Sequence, residues 1–203
     1  MTGDEVLLLV EAHLLTVFGQ DSGRAGVAFL GAERIDVLRF GSDPDALMRY
    51  VTLGMSRSPM TDPAQSLVAD DGPRAELVLS VRGLQDTVLR RLAVLAASPA
   101  VEGVVVAPGA GLDLGAPLWD GARFTAVLVG EPGGLVPDLD LDHHPYGGQS
   151  PGPAPVQFLP LLPMTPNEAA WKRVHGAGAL QSRWLAQGLD LRDPDRREAD
   201  LGD

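Results

Sequence analysis

The stretch "VQFLPLLPMTPNEAAWKRVHGAGAL", residues 156–180, changes its hydrophobic period in the middle. "VQFLPLL" (156–162) is a short apolar run, as a strand buried inside a sheet is. From Thr165 the signals are helical. Thr165 stands three residues before Glu168, so each side chain can cap the other's backbone N–H. Pro166 falls at the first helical position, where its missing N–H is harmless. Glu168 and Lys172 are spaced i,i+4 in the favourable order, and Lys172, Arg173 and His175 sit near the negative end of the helix dipole. Gly176 is the natural left-handed stop. Ala170, Trp171 and Val174 would form the face packed on the preceding strand. The stretch also gathers a Trp, the chain's only Lys, an Arg and one of its four His, a composition that suits a functional cluster. Each has a structural place in the helix, so it reads as frame rather than site.

Working outward, Thr2 and Glu5 form a capping box for a helix over 3–18, with Leu7, Val10, Leu14, Val17 and Phe18 as its apolar face and Gly19 as its end. Strands are expected at "RIDVLRF" (34–40), "RYVTLGMS" (49–56), "AELVLSVR" (75–82), "VEGVVVA" (101–107) and "FTAVLVG" (124–130). A second helix is expected over 84–97, closed by Pro99, and a last one over 179–187. Strands and helices do not alternate regularly, so the fold class is α+β, a mixed and largely antiparallel sheet flanked by helices. Residues 1–190 form one domain, and the charged segment 191–203, "LRDPDRREADLGD", reads as a frayed, disordered tail. Segments 57–74 and 131–155 are Pro-, Gly- and Asp-rich loops.

Composition narrows the function. With 203 residues the chain suits one domain, and its formal net charge of −11 repels phosphate backbones. No basic stripe with interleaved aromatics is present, so nucleic-acid binding is disfavoured. An acidic surface either keeps the protein soluble or steers it towards a basic partner. No apolar run approaches a membrane span and no basic segment precedes the N-terminal apolar stretch, so neither membrane nor secretion is expected and the location is read as cytoplasmic. The absence of Cys excludes disulfides and thiolate chemistry.

Three stretches invite a chemical reading. In "DLDLDHH" (138–144), Asp138, Asp140, Asp142 and His144 line one edge of an extended segment. A calcium loop would need Gly sixth and Glu twelfth, where His143 and Gln149 stand. A looser divalent site, and with it a metal-dependent hydrolase, is the alternative to a solvated acidic loop. "VVVAPGAGLDLGAP" (104–117) lacks the helix that a dinucleotide fingerprint opens, and Pro117 arrives too soon for one. No nucleophile elbow and no zinc helix is present, and His13 on an apolar helix reads as structural. No catalytic residue, metal or cofactor is assigned.

Taken in order, "YVTLGMS" (50–56), "AELVLSVR" (75–82) and the opening stretch resemble the suppressor-of-fused family. Its domain has an aromatic-led strand ending in a Gly-hydrophobic-Ser turn, a Glu-Leu strand, and a late strand entering a Thr-x-x-Glu-capped helix. The resemblance covers residues 25–190 and is that of a stand-alone bacterial member. It implies protein binding rather than catalysis, by clamping an extended segment of a partner beside the domain's own strands. Bacterial members include immunity proteins against polymorphic toxins, so a basic toxin domain is an expected partner, with a general scaffold role as the other option. Tyr50 leads the matching strand and Asp62 lies in the loop after it, where the family meets its ligand. With the acidic Asp138, Asp140 and Asp142 they make up the expected partner-binding set.

Overall fold

The computed structural model describes residues 1–29, 32–43, 45–61, 72–141 and 153–202. Its elements run α1 (Gly3–Phe18), β1 (Gly23–Phe29), β2 (Ala32–Phe40), β3 (Leu47–Leu53), a 3-10 turn (Met55–Arg57), β4 (Arg74–Arg82), α2 (Thr87–Glu102), β5 (Gly111–Asp113), β6 (Ala126–Val129), β7 (Val156–Met164), α3 (Pro166–His175) and α4 (Ala177–Ala186). The strands form one seven-stranded sheet in the order β1-β2-β3-β4-β7-β6-β5. Among the described residues only the central β4–β7 pair is parallel. The fold is therefore α+β with a mixed, largely antiparallel sheet.

Alternation along the strands sorts the core into layers. Val37, Tyr50, Leu77, Leu79, Leu161 and Val127 pack with Val88, Leu92 and Ala96 of α2. The intervening Leu38, Val51, Val78 and Phe158 pack on the opposite face with Val6, Val10 and Leu14 of α1. Ala126 and Leu128 of β6, out of phase with Val127, pack with Leu180 and Trp184 of α4. Helices thus cover both faces.

Both capping boxes form as expected, at Thr2–Glu5 and Thr165–Glu168. Four expectations fail for identifiable reasons. Pro99 does not end α2, which continues to Glu102. The carbonyl of Leu95, left without a Pro99 N–H, accepts the Ser98 hydroxyl at 2.7 Å instead, and left-handed Gly103 ends the helix. The expected strand 101–107 accordingly does not exist; Val101 and Glu102 are the last residues of α2. β1, "GRAGVAF", lies outside the expected strands and pairs antiparallel along β2. On α3 the expected apolar face is wrong. Val174 is 78% exposed, while the buried positions are Glu168 and Ala169.

The tail is the fourth correction. Arg196 and Ala199 are buried, and the segment folds back over α3 and α4. A composition of charges suggested fraying, but one of those charges has a buried partner.

Candidate functional site

β3 ends at Leu53, and the chain turns through Gly54 into the 3-10 turn. Gly54 has φ 145°, and a Cβ there would lie 2.9 Å from Ile35 Cδ1 and 3.0 Å from the Arg34 carbonyl. Both conformation and space demand glycine. The turn is fastened from β4. Glu76, fully buried, accepts the Gly54 and Ser56 N–H groups at 2.9 and 3.0 Å and the Ser56 hydroxyl at 2.6 Å on one oxygen. Its other oxygen accepts the Thr52 hydroxyl at 2.6 Å, and Thr52 in turn accepts the Leu77 N–H at 2.8 Å. Arg74, two residues earlier and so on the same side of β4, donates to the Ser56 and Arg57 carbonyls at 2.7 and 2.9 Å. A carboxylate meets the turn's amides and a guanidinium its carbonyls, as backbone polarity requires. Arg57 then pairs with Asp4 at the start of α1.

Beside this turn lies a cleft of about 480 Å³, with Ile35, Met55, Arg57, Met60, Ala97 and Ala100 among its lining residues. Exposed Glu33 stands on its rim. β4 and β7 run parallel from Arg74↔Val156, and Val156 bridges Leu139. The 138–140 segment therefore lies at the same end of the sheet as the turn. Val136 and Leu141 are buried, and Asp138 and Asp140 are exposed.

Of the expected partner-binding residues, Asp138 and Asp140 thus face outward at the turn end of the sheet, on a segment that packs on the α1 face rather than the α2 face of the cleft. Asp62 and Asp142 lie outside the described residues, as do His143 and His144. Among the described residues no group of three or more His, Asp or Glu gathers as metal ligands. Tyr50 is a correction. Its side chain is fully buried on the α2 face, and its hydroxyl accepts the Gln85 N–H at 2.8 Å, at the far end of the sheet. Burial raises the phenol's pKa, with the Gln85 N–H pulling the other way. Tyr50 orders the entry to α2, and its side chain offers a partner no surface.

A second buried carboxylate, Glu168, secures the other motif. Its oxygens accept from Arg196 at 2.7 and 2.8 Å, Thr165 N–H at 2.9 Å, Ala199 N–H at 3.0 Å and Trp184 Nε1 at 3.1 Å. The Arg196 guanidinium lies 4.7 Å from the Phe124 ring centroid. Burial alone would raise the Glu168 pKa; the hydrogen bonds from Arg196, Thr165 and Ala199 outweigh it and hold the carboxyl below its ordinary value. Sequence reasoning placed Glu168 as a surface cap and passed over Glu76. An acid within the apolar run "AELVLSV" (75–81) was the available signal for the latter.

Two buried carboxylates thus pin the sheet, with an apolar cleft and exposed acids at one end of it. The chain belongs to the suppressor of fused (SUFU) family, whose model matches residues 31–197. A SUFU homologue from Neisseria gonorrhoeae superposes with TM-score 0.69 at 17% identity, covering 98% of this chain and 100% of that one. A chain of the Sufu–Fu complex crystal structure gives TM-score 0.63 at 13% identity, covering 95% of this chain and 91% of that one. Drosophila Suppressor of Fused gives 0.59 at 13% identity over 94% of this chain, which spans 50% of that longer one. No functionally curated protein matches the sequence. Among the described residues no helix is long and apolar enough to cross a membrane.

Proposed function

We propose that this chain captures an extended, basic segment of another protein at the turn end of its sheet, and that it acts as an immunity protein whose partner is a toxin. The observation that carries the reading is the Gly54–Ser56 turn, locked by Glu76 and Arg74 beside an apolar cleft with one acid, Glu33, on its rim. A rigid turn presents the cleft in one shape, so little ordering opposes binding. An apolar side chain of the partner fills the cleft, its backbone lies along the adjacent chain, and its basic residues face Glu33, Asp138 and Asp140. The match of this fold to a chain of the Sufu–Fu complex supports a protein partner. The net charge of −11 supports a basic one. Asp62 and Asp142, which lie outside the described residues, stay in the proposed partner-binding set.

The test begins with capture of the partner from the native host by the full chain. Ala100→Trp fills the cleft from an exposed position and should raise the dissociation rate about tenfold or more. If the captured protein arrests growth when expressed alone, co-expression of this chain should restore growth and the Ala100→Trp chain should not. A captured partner without a basic segment, or wild-type dissociation from Ala100→Trp, would contradict the reading.

A further inference from the structure

The two edges of the sheet are built differently. β1 carries Arg24, which pairs with Glu11 and Asp36, and its ladder shifts register after Val27; both blunt an edge against further pairing. β5, at the other edge, is three residues long and open, with Gly111 and Asp113 exposed. Val129 N–H donates to Ala110 at 2.8 Å and Leu114 N–H to Thr125 at 2.9 Å, and Leu112 stands opposite Val127. By alternation, the N–H and C=O groups of Gly111 and Asp113 point away from β6.

The two faces of this edge differ in chemistry. On the α2 side, Val94, Val104 and Val105 are 50%, 37% and 40% exposed, and with Leu112 they line a groove of about 280 Å³. On the α3 side, Asp113 pairs with Arg173 at 3.7 Å. Lys172 reaches over Gly111, its Nζ 3.2 Å from where a Cβ on that glycine would stand.

We infer that this edge pairs with a second copy of the chain, antiparallel, about a two-fold axis through Leu112. The argument is self-complementarity. That axis sets Gly111 opposite the copy's Asp113, and those are the two residues whose backbone groups face outward, so they meet as hydrogen-bonded pairs. Directly opposed residues have Cβ atoms about 5 Å apart. Each Asp113 therefore stands beside the glycine that the copy's Lys172 covers, and the absent side chain leaves the two charges free to meet. The symmetry makes this contact twice. On the other face Leu112 meets Leu112, and the exposed valines of both chains flank the axis, where pairing removes apolar surface from water. This inference is independent of the proposed partner site, which lies at the turn beside β3 and β4.

Charge exchange tests it on the full chain. Wild type should sediment as a concentration-dependent dimer. Asp113→Lys and Lys172→Asp each set like charges opposite one another and should weaken dimerisation about tenfold or more. Mixed in equal amounts, the two variants should recover a dimer, because Lys at 113 of one chain then meets Asp at 172 of the other while the native pair forms alongside. A purely intramolecular effect of either substitution gives no such recovery. In the wild-type dimer the Gly111 and Asp113 amides should exchange more slowly with solvent than in either variant alone. A wild type that stays monomeric as concentration rises, variants that dimerise as wild type does, or a mixture that stays monomeric would each overturn the inference.

Discussion

Glu76 holds both the hydroxyl and the backbone N–H of Ser56 on a single carboxylate oxygen, at 2.6 and 3.0 Å. The same oxygen receives the Gly54 N–H at 2.9 Å. One side chain thereby fixes the glycine that enters the 3-10 turn and the N–H and hydroxyl of the turn's central residue, and that turn is one wall of the cleft. Stability and binding shape depend on the same contact.

Replacing Glu76 should therefore be severe. Glu76→Ala strands buried donors at Thr52, Gly54 and Ser56, and an unsatisfied buried group costs about 1–3 kcal/mol. A loss of about 3 kcal/mol or more in urea unfolding is expected. Glu76→Gln keeps one acceptor oxygen and should fall between wild type and Glu76→Ala. A Glu76→Ala protein within about half a kcal/mol of wild type would mean that the turn does not need its carboxylate.

The buried Glu168–Arg196 pair gives a second expectation. Arg196→Met leaves an uncompensated buried carboxylate and should destabilise by about 3–5 kcal/mol. Glu168→Gln combined with Arg196→Met should recover part of that loss. Hydrogen exchange should show residues 191–202 released in Arg196→Met, since Arg196 and Ala199 both bond Glu168.

The same pair makes stability depend on pH with a definite sign. The folded pKa of Glu168 lies below its unfolded value, so the folded state binds this proton more weakly. Its stabilisation is present above the unfolded value of about 4.3 and is lost as pH falls through the folded pKa. The stability advantage of wild type over Glu168→Gln should accordingly be constant near neutrality and shrink in acid. An advantage that grows in acid would contradict the depressed pKa.

The motifs visible in the sequence proved to be the frame, for a physical reason. Capping boxes, the Gly54 turn and the apolar strands are local patterns, and local patterns can be read from one chain. What the sequence hid was the far partner. Glu168 has the spacing of a surface cap, and nothing nearby announces Arg196, 28 residues on. Tyr50 leads a strand motif, but its burial depends on α2 covering that face. Of the expected site, the outward-facing Asp138 and Asp140 were legible because alternation with Leu139 and Leu141 sets their side. The cleft was not, since Ile35, Met60 and Ala100 come from three separated segments.

The two tryptophans of the helical hairpin should respond unequally. Trp184 is 2% exposed and bonds Glu168 at 3.1 Å, so Trp184→Ala should cost about 3–5 kcal/mol. Trp171 is half-buried and stacks on His175 with ring centroids 4.0 Å apart, beneath the Arg183 guanidinium. Trp171→Ala should cost about 1 kcal/mol. Equal losses in urea unfolding would show that Trp171 is core after all.

The most direct test of the proposed binding mode is the salt dependence of association with the captured partner, read separately as on-rate and off-rate for wild type and for Glu33→Lys combined with Asp138→Lys. Exposed acids act on the approach of a basic segment, and their reach shrinks as the Debye length falls from about 14 Å to about 4 Å between roughly 0.05 and 0.5 M salt. Wild-type association should slow about tenfold or more over that range with little change in dissociation, and the double variant should associate slowly at low salt and respond much less to added salt. An on-rate insensitive to salt, and unchanged by the double substitution, would contradict the binding of a basic segment at this acidic end of the sheet.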